Sequence, residues 1–403
     1  MSTPFRTSLR AALLIAVTLI AATNSFAQDK LEKSRQRLAS GEPTKIVCFG
    51  DSITGVYYHS GSKRAWCDML GLLLQQAYPG AKLEMINAGV SGHTTVNALA
   101  RIERDVLKKE PNLVVIGFGM NDVARTPFEE FAPNLREIIR RCQEVGAEVV
   151  LCTPNAVSET EPRPEVKVAK YSEAIRAVAA ELQLPVVDIF TSWKQLREDD
   201  PVGWSLLMSD EIHPNMTGHI RFAELIGSTI VGRPLKFDKT PPPIETLKTT
   251  LGRLAKGETV KLVAAPPFDT IIPAQFRKLY PEAKFDVVVW PAEEQTIAAA
   301  AEWAKQVRGL KPDLVVSPFP PKAIEASQEE FIRDYEWVLN YSLPQSKGAA
   351  WDVVPVLPID SHPAYADLAA RIIAGKELRF ISRPSGDKRS ADEIVAAWIA
   401  EHK

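Results

Sequence analysis

The sequence predicts an α/β fold, a doubly wound parallel sheet in the first half of the chain with a second α/β unit after it. Three observations carry this. Short apolar runs such as Ile46–Phe49, Leu113–Ile116 and Val149–Cys152 alternate with segments whose apolar residues recur at helical spacing. Strands that alternate with helices form parallel sheets through right-handed crossovers, which bring successive strand ends to one edge. The runs Ile46–Phe49, Leu83–Ile86 and Leu113–Ile116 lead into small or polar turns, Gly50-Asp51-Ser52, Gly89-Val90-Ser91-Gly92 and Gly117-Phe118-Gly119-Met120-Asn121. Finally, landmarks of the first half recur in order in the second.

The elements follow in sequence. A short helix over 31–40 leads to the first strand, 45–50. Trp66, Met69, Leu70, Leu73, Leu74 and Ala77 mark an amphipathic helix over 64–77. The second strand is Leu83–Ile86, and the helix after its Gly-rich turn directs Val96, Leu99, Ile102 and Val106 inward. Pro111 stops the preceding segment before strand three, Leu113–Ile116. The next helix runs from Phe128 to Val145 and ends at Gly146, a residue suited to a helix C′ position. Strand four is Val149–Cys152, a polar loop over 155–165 precedes a helix at 166–182, and strand five is Val186–Ile189. An irregular stretch then reaches Ser209-Asp210-Glu211-Ile212-His213-Pro214, and a closing helix ends near Ile230.

With 403 residues the chain is long enough for two or three domains, and its net charge of −2 comes from interspersed acids and bases. Nothing in that balance points to nucleic acid or a membrane surface. Arg6 and Arg10 precede the apolar run Ala11–Ala22, and Ser25-Phe26-Ala27 has small residues at a plausible cleavage point. The expectation is a signal peptide over 1–27 cleaved after Ala27, a secreted or periplasmic protein, and no stable membrane anchor after its removal. Export would permit disulfides, but Cys48, Cys67, Cys142 and Cys152 lie on apolar strands and helices, so buried free thiols are favoured over a bridge. Their spacing does not resemble a zinc site.

Ligands of open α/β sheets bind outside the carboxyl ends of the strands. Ser52, Gly92 and Asn121 each follow a different strand and so share that edge, and Asp210 and His213 lie on a late loop that can fold over it. A serine becomes a nucleophile when a base takes its proton. His213 is near-neutral at physiological pH and can serve, with Asp210 fixing its tautomer from three residues upstream. The N–H groups of Ser52 and Gly92 and the Asn121 amide suit an oxyanion hole. Each residue also fits a structural role: Ser52 as a turn cap, Gly92 as a turn, Asn121-Asp122 as a helix cap, His213-Pro214 as a turn.

Taken together, Gly50-Asp51-Ser52, Asn87-x-Gly89-x-Ser91-Gly92, Gly119-x-Asn121-Asp122 and Asp210-x-x-His213-Pro214 resemble the four blocks of the SGNH (GDSL) hydrolases, over about 45–232. The resemblance implies a flavodoxin-like three-layer α/β/α fold and esterase activity without metal or cofactor. It implies Ser52 as nucleophile, His213 as base, Asp210 as its partner, and Ser52, Gly92 and Asn121 as oxyanion donors. Ile53 stands where the family usually has Leu, and Asp51 takes a supporting role. Tyr57, Tyr58, His59, Lys63, Arg64 and Trp66, together with His93, are candidates for contacting a sugar or acyl group, although Trp66 also fits the core. His219 reads as structural.

After a Pro-rich linker over 233–243 the chain starts again, giving domains at 28–232 and 244–403. Leu247, Arg253, Leu254, Ala255, Gly257, Glu258, Lys261 and Val263 match Leu31, Arg37, Leu38, Ala39, Gly41, Glu42, Lys45 and Val47 at one offset. Phe268 falls at the Ser52 position, Glu294 at Gly92 and Lys322 at Asn121, while Asp360-Ser361-His362-Pro363 is one residue short of the last block. The second half is therefore expected to be a degenerate, non-catalytic copy that binds substrate, packs on the first as a lid, or mediates assembly.

The sequence thus points to an exported serine esterase acting on a small-molecule or polysaccharide ester through a seryl acyl-enzyme, with carbohydrate O-deacetylation the favoured reaction. A lysophospholipase or thioesterase, an O-acyltransferase and a non-catalytic carbohydrate-binding protein are the alternatives. The oligomeric state is left open.

Overall fold

A computed structural model describes residues 30–243, 245, 247–346, 351–357, 363–383 and 386–402. The expected signal peptide and the Asp360-Ser361-His362 triplet lie outside these residues.

The first sheet has five parallel strands: β1 (Pro43–Gly50), β2 (Lys82–Gly89), β3 (Leu113–Gly117), β4 (Glu148–Cys152) and β5 (Val186–Val187), in the order β2-β1-β3-β4-β5. β1 is nearly all buried and sits centrally because Ile46, Val47, Cys48 and Phe49 offer apolar side chains to both faces. Helices Trp66–Ala77 and Met216–Val231 pack against each other, and helices Thr95–Asp105, Phe128–Glu144 and Glu165–Leu182 form a second neighbouring series. The strand order changes direction between β1 and β3, the kind of point at which α/β sheets bind ligands.

Two local expectations are corrected. Val96 is 48% exposed, and the helix Thr95–Asp105 instead buries Thr95, Ala98, Arg101 and Ile102. Arg101 earns its burial by donating to the Ala88 and Gly50 carbonyls, both at 2.8 Å, at the ends of β2 and β1, while Asp105 balances its charge at 3.0 Å. Its guanidinium also lies over the Phe49 ring, 4.5 Å from the centroid. The stretch after β5 is not irregular. It forms helices Ile189–Asp199 and Pro201–Ser205, capped by Asp188, which accepts from Thr191 N, and by Asp200, which accepts from Gly203 N. All four cysteines are free and buried.

The second sheet has four parallel strands, β6 (Val260–Ala264), β7 (Phe285–Val289), β8 (Leu314–Ser317) and β9 (Asp352–Pro355), in the order β7-β6-β8-β9. The strand sequence of its first four positions matches that of β2-β1-β3-β4. The two halves are knit together. Leu206 joins the core that also holds Val263, Val315 and Leu339, and Tyr58 packs against it. Tyr58 N donates to Gln345 O at 3.2 Å, and Met216 N donates to Gly375 O at 2.6 Å.

Candidate active site

β1 ends at Gly50, where a Cβ would lie 2.1 Å from Thr54 Oγ1 and 2.6 Å from Gly117 O, so only glycine lets the chain turn this tightly. The turn is fastened by Asp51, whose carbonyl accepts from Thr54 N and Gly55 N and whose Oδ1 accepts from Ile53 N at 2.9 Å. Ser52 is thereby presented at the sheet edge. The loop before helix Met216–Val231 crosses that edge from the far side of the sheet order.

There Ser52 Oγ donates to His213 Nε2 at 2.8 Å, and His213 Nδ1 donates to Asp210 Oδ2 at 2.8 Å and lies 2.9 Å from Oδ1. The imidazole thus carries its proton on Nδ1 and leaves Nε2 free to accept. Asp210 Oδ1 also accepts the backbone N–H groups of Ile212 (3.0 Å) and His213 (2.8 Å), and Oδ2 accepts the Tyr58 hydroxyl at 3.2 Å. Burial by itself would raise this carboxyl. The neighbouring His213 and the N–H donors outweigh it and hold Asp210 well below the usual carboxylate range.

The oxyanion candidates follow β1, β2 and β3, which are adjacent. Gly92 has φ 76°, a left-handed conformation that favours glycine, and its carbonyl accepts from Arg125 Nη1 at 2.9 Å. Among the described residues, neither the Ser52 nor the Gly92 N–H donates to another group of the chain. Asn121 is held at both ends of its amide. Nδ2 donates to His93 O at 3.2 Å and lies 3.4 Å from Asp51 Oδ2, while Oδ1 accepts from Arg163 Nη2 at 3.1 Å. Arg163 Nε also donates to Met120 O at 2.9 Å. The arginine therefore decides which face of the Asn121 amide points inward. No signal in the polar loop over 155–165 marked it beforehand.

The aromatic loop after Ser52 turns out differently from the expectation that it contacts substrate. His59 is 1% exposed and stacked flat on His213, with centroids 4.5 Å apart and planes at 4°. His219 is also stacked with His59, at 5.7 Å and 2°, and its Nδ1 accepts from Trp66 N. Tyr58 is turned into the interior as a donor to Asp210, its phenol pushed up by burial and by that carboxylate. Both residues back the His213–Asp210 pair because the second half of the chain covers the loop. Arg64 is likewise withdrawn into an ion pair with Glu377, Lys63 donates to Glu245 O at 2.8 Å, and Trp66 is 2% exposed in the core. Tyr57 and His93 stay at the rim, where the Tyr57 hydroxyl accepts from Ser91 N at 2.9 Å and steadies the turn to Gly92.

The buried imidazoles predict a pH dependence of stability. Burial, with His213 alongside, lowers His59 well below the ordinary range and His219 to about 3. Below pH ~6.5 the unfolded chain binds protons that these folded imidazoles refuse. Stability therefore falls on acidification by about 1.4 kcal/mol per pH unit for each. Asp51 opposes this: burial raises it to about 6, so the folded state holds a proton that the unfolded state has lost, and stability rises as pH falls through about 6. His219→Asn keeps an acceptor for Trp66 N and removes one imidazole. Its urea-derived stability should fall between pH ~6 and ~4 less steeply than wild type, by about 1.4 kcal/mol per pH unit. Parallel curves would contradict the neutral, buried state of His219.

Comparison with known proteins bears on the same segment. Residues 48–221 match the model of the GDSL-like Lipase/Acylhydrolase family. The chain is 27% identical over 207 residues to an acetylxylan esterase of Geobacillus stearothermophilus, covering 46% of this chain and 93% of that protein. It is 27% identical over 188 residues to the esterase TesA of Pseudomonas aeruginosa, covering 46% and 87%. Among solved structures, a lipase/acylhydrolase from Enterococcus faecalis is 30% identical with a TM-score of 0.41, covering 49% of this chain and all of that one. Residues 48–221, the first sheet and the loops at its carboxyl edge, are a GDSL-like lipase/acylhydrolase segment, and the protein is an ester hydrolase of the SGNH type.

Proposed function

We propose that the protein is an exported carbohydrate O-deacetylase that works through a seryl acyl-enzyme. The observation that carries the mechanism is the unbroken hydrogen-bond line from Ser52 Oγ through His213 to Asp210, with both links at 2.8 Å. Ser52 Oγ attacks the ester carbonyl while His213 Nε2 takes its proton. Negative charge gathers on the former carbonyl oxygen, which faces the Ser52 and Gly92 N–H groups and the Asn121 amide. The intermediate collapses, the C–O bond to the alcohol breaks, and His213 returns the proton to the departing oxygen. Water then repeats the sequence on the acyl-serine, releasing the carboxylate and regenerating Ser52. Asp210 stays ionised and compensates the imidazolium.

Support for a short acyl group comes from the acetyl ester in the name of the acetylxylan esterase relative. The acetylxylan esterase relative supports a carbohydrate alcohol. The charged and apolar N-terminal pattern supports export. A degenerate second copy is supported by the matching strand orders and by the residues at its strand ends. There Glu294 and Lys322, at the positions of Gly92 and Asn121, form an ion pair with each other at 2.8 Å, and Phe268 opens a helix where Ser52 would stand.

The test is hydrolysis by residues 28–403 of acetylated xylo-oligosaccharide, p-nitrophenyl acetate and p-nitrophenyl palmitate. The acetyl esters should exceed the palmitate in kcat/KM by about 100-fold or more. Ser52→Ala should remove all but about a thousandth of the activity. Faster palmitate turnover would replace deacetylation with lipid hydrolysis, and an undiminished Ser52→Ala rate would remove the serine mechanism. Within the oxyanion site, Asn121→Ala should lower kcat by about 10²–10³. Arg163→Met, which leaves the amide in place but unfastened, should cost about tenfold in kcat with little change in KM. A wild-type kcat in Arg163→Met would show that Asn121 orients itself.

A further inference from the structure

In the second half of the chain Phe268 stands at the position of Ser52, and the most deeply buried charge among its described residues lies against the Asp210–His213 loop of the first half. Lys376 is fully buried. Its Nζ donates to Ser209 Oγ at 2.5 Å, to Asn340 Oδ1 at 2.7 Å and to His59 O at 3.2 Å, and it pairs with Glu336 Oε2 at 2.6 Å. Asn340 closes the ring: its Nδ2 donates to Ser209 O at 2.7 Å. Glu336 Oε1 accepts from Asn215 Nδ2 at 3.2 Å, and that same amide donates to the Leu206 and Met208 carbonyls.

These contacts fall on both flanks of the segment that carries Asp210 and His213, and on the turn that carries His59. Ser209 immediately precedes Asp210, and its N–H donates to His213 O at 2.8 Å. Asn215 follows His213 by two residues and caps helix Met216–Val231. His59 is the plate on which the His213 ring rests. A buried ammonium that meets one carboxylate and three oxygens in this way leaves its neighbours little freedom, because each displacement strands a charge or a polar group out of water.

We propose that Lys376, with Asn340 and Glu336, is a positioning cluster for the Asp210–His213 loop, and that the second domain serves the reaction by supplying it. This role rests on the reading of Ser52, His213 and Asp210 as the catalytic residues. None of the three cluster side chains touches the substrate. They act through Ser209, Asn215 and His59, which set where His213 Nε2 stands relative to Ser52 Oγ.

The experiment uses residues 28–403 and p-nitrophenyl acetate. The main variant is the double substitution Lys376→Met with Glu336→Leu, which replaces a buried ion pair by apolar side chains of similar volume, a change that folded proteins often tolerate. Asn340→Ala is the second variant and leaves the ion pair in place. Phe276→Ala, deep in the second sheet's other core and away from the loop, is the control for lost stability. The expected result is that both cluster variants lose about 10–100-fold in kcat while KM stays within about twofold. Labelling of Ser52 by a fluorophosphonate should slow in parallel. Phe276→Ala should lower the melting temperature yet keep the wild-type kcat when assayed well below it. Wild-type kcat in a folded cluster variant would overturn the proposal, and so would an equal kcat loss in folded Phe276→Ala. Ser52→Ala, run alongside, separates the two claims: if it is inactive while the cluster variants are normal, the esterase reading stands and the positioning role falls.

Discussion

Asp210 is an ionised carboxylate held almost wholly out of water, and much of the molecule is arranged to keep it there. A buried charge without partners costs several kcal/mol or more. Here the backbone N–H groups of Ile212 and His213, the His213 ring and the Tyr58 hydroxyl together satisfy both oxygens. In the proposed mechanism, only a retained charge can stabilise the imidazolium that forms when His213 takes the Ser52 proton. The loop must therefore close on itself, and Tyr58 must be turned inward, before the site has a base.

The oxyanion side obeys the opposite requirement. Its donors must stay unsatisfied within the chain so that they are available when charge develops on the substrate. Gly92 meets this by a left-handed backbone and Ser52 by the tight turn after Gly50, both of which expose an N–H at a strand end. Asn121 departs from it: its Nδ2 donates to His93 O at 3.2 Å and lies 3.4 Å from Asp51 Oδ2, while Arg163 holds its carbonyl end. Helix Thr95–Asp105 locks the platform beneath: its Arg101 spans the ends of β1 and β2 and ties Gly50 O to Ala88 O. One edge of the sheet thus carries a filled carboxylate site and an open anion site about a single serine.

Much of this was legible in the sequence, and the reasons are local. Apolar runs such as Leu113–Ile116 are buried on both faces and announce central strands. The blocks at Gly50, Gly89, Gly119 and Asp210 are contiguous, so their residue types can be read where they stand. The helix Thr95–Asp105 was misread on one residue because Val96 fits an apolar stripe by spacing, whereas a paired arginine, Arg101, fills the buried face. Ile189–Asp199 and Pro201–Ser205 were missed although Asp188 and Asp200 are ordinary helix caps. The contacts of Tyr58, His59, Arg163 and Lys376 were not legible at all. Each depends on a partner tens to hundreds of residues away, and an aromatic, basic loop after a nucleophile looks like a substrate wall until another domain covers it.

The proposed chemistry requires Ser52 to become covalently acylated with His213 as its base. The most direct measurement is to quench the 28–403 protein in acid during steady-state turnover of p-nitrophenyl acetate and to map acetyl groups by peptide mass spectrometry. The expected result is acetylation of the peptide at Ser52, formed at least as fast as overall turnover and lost in His213→Ala. Steady turnover with no acetyl on Ser52, or with the label equally present on other serines, would contradict it.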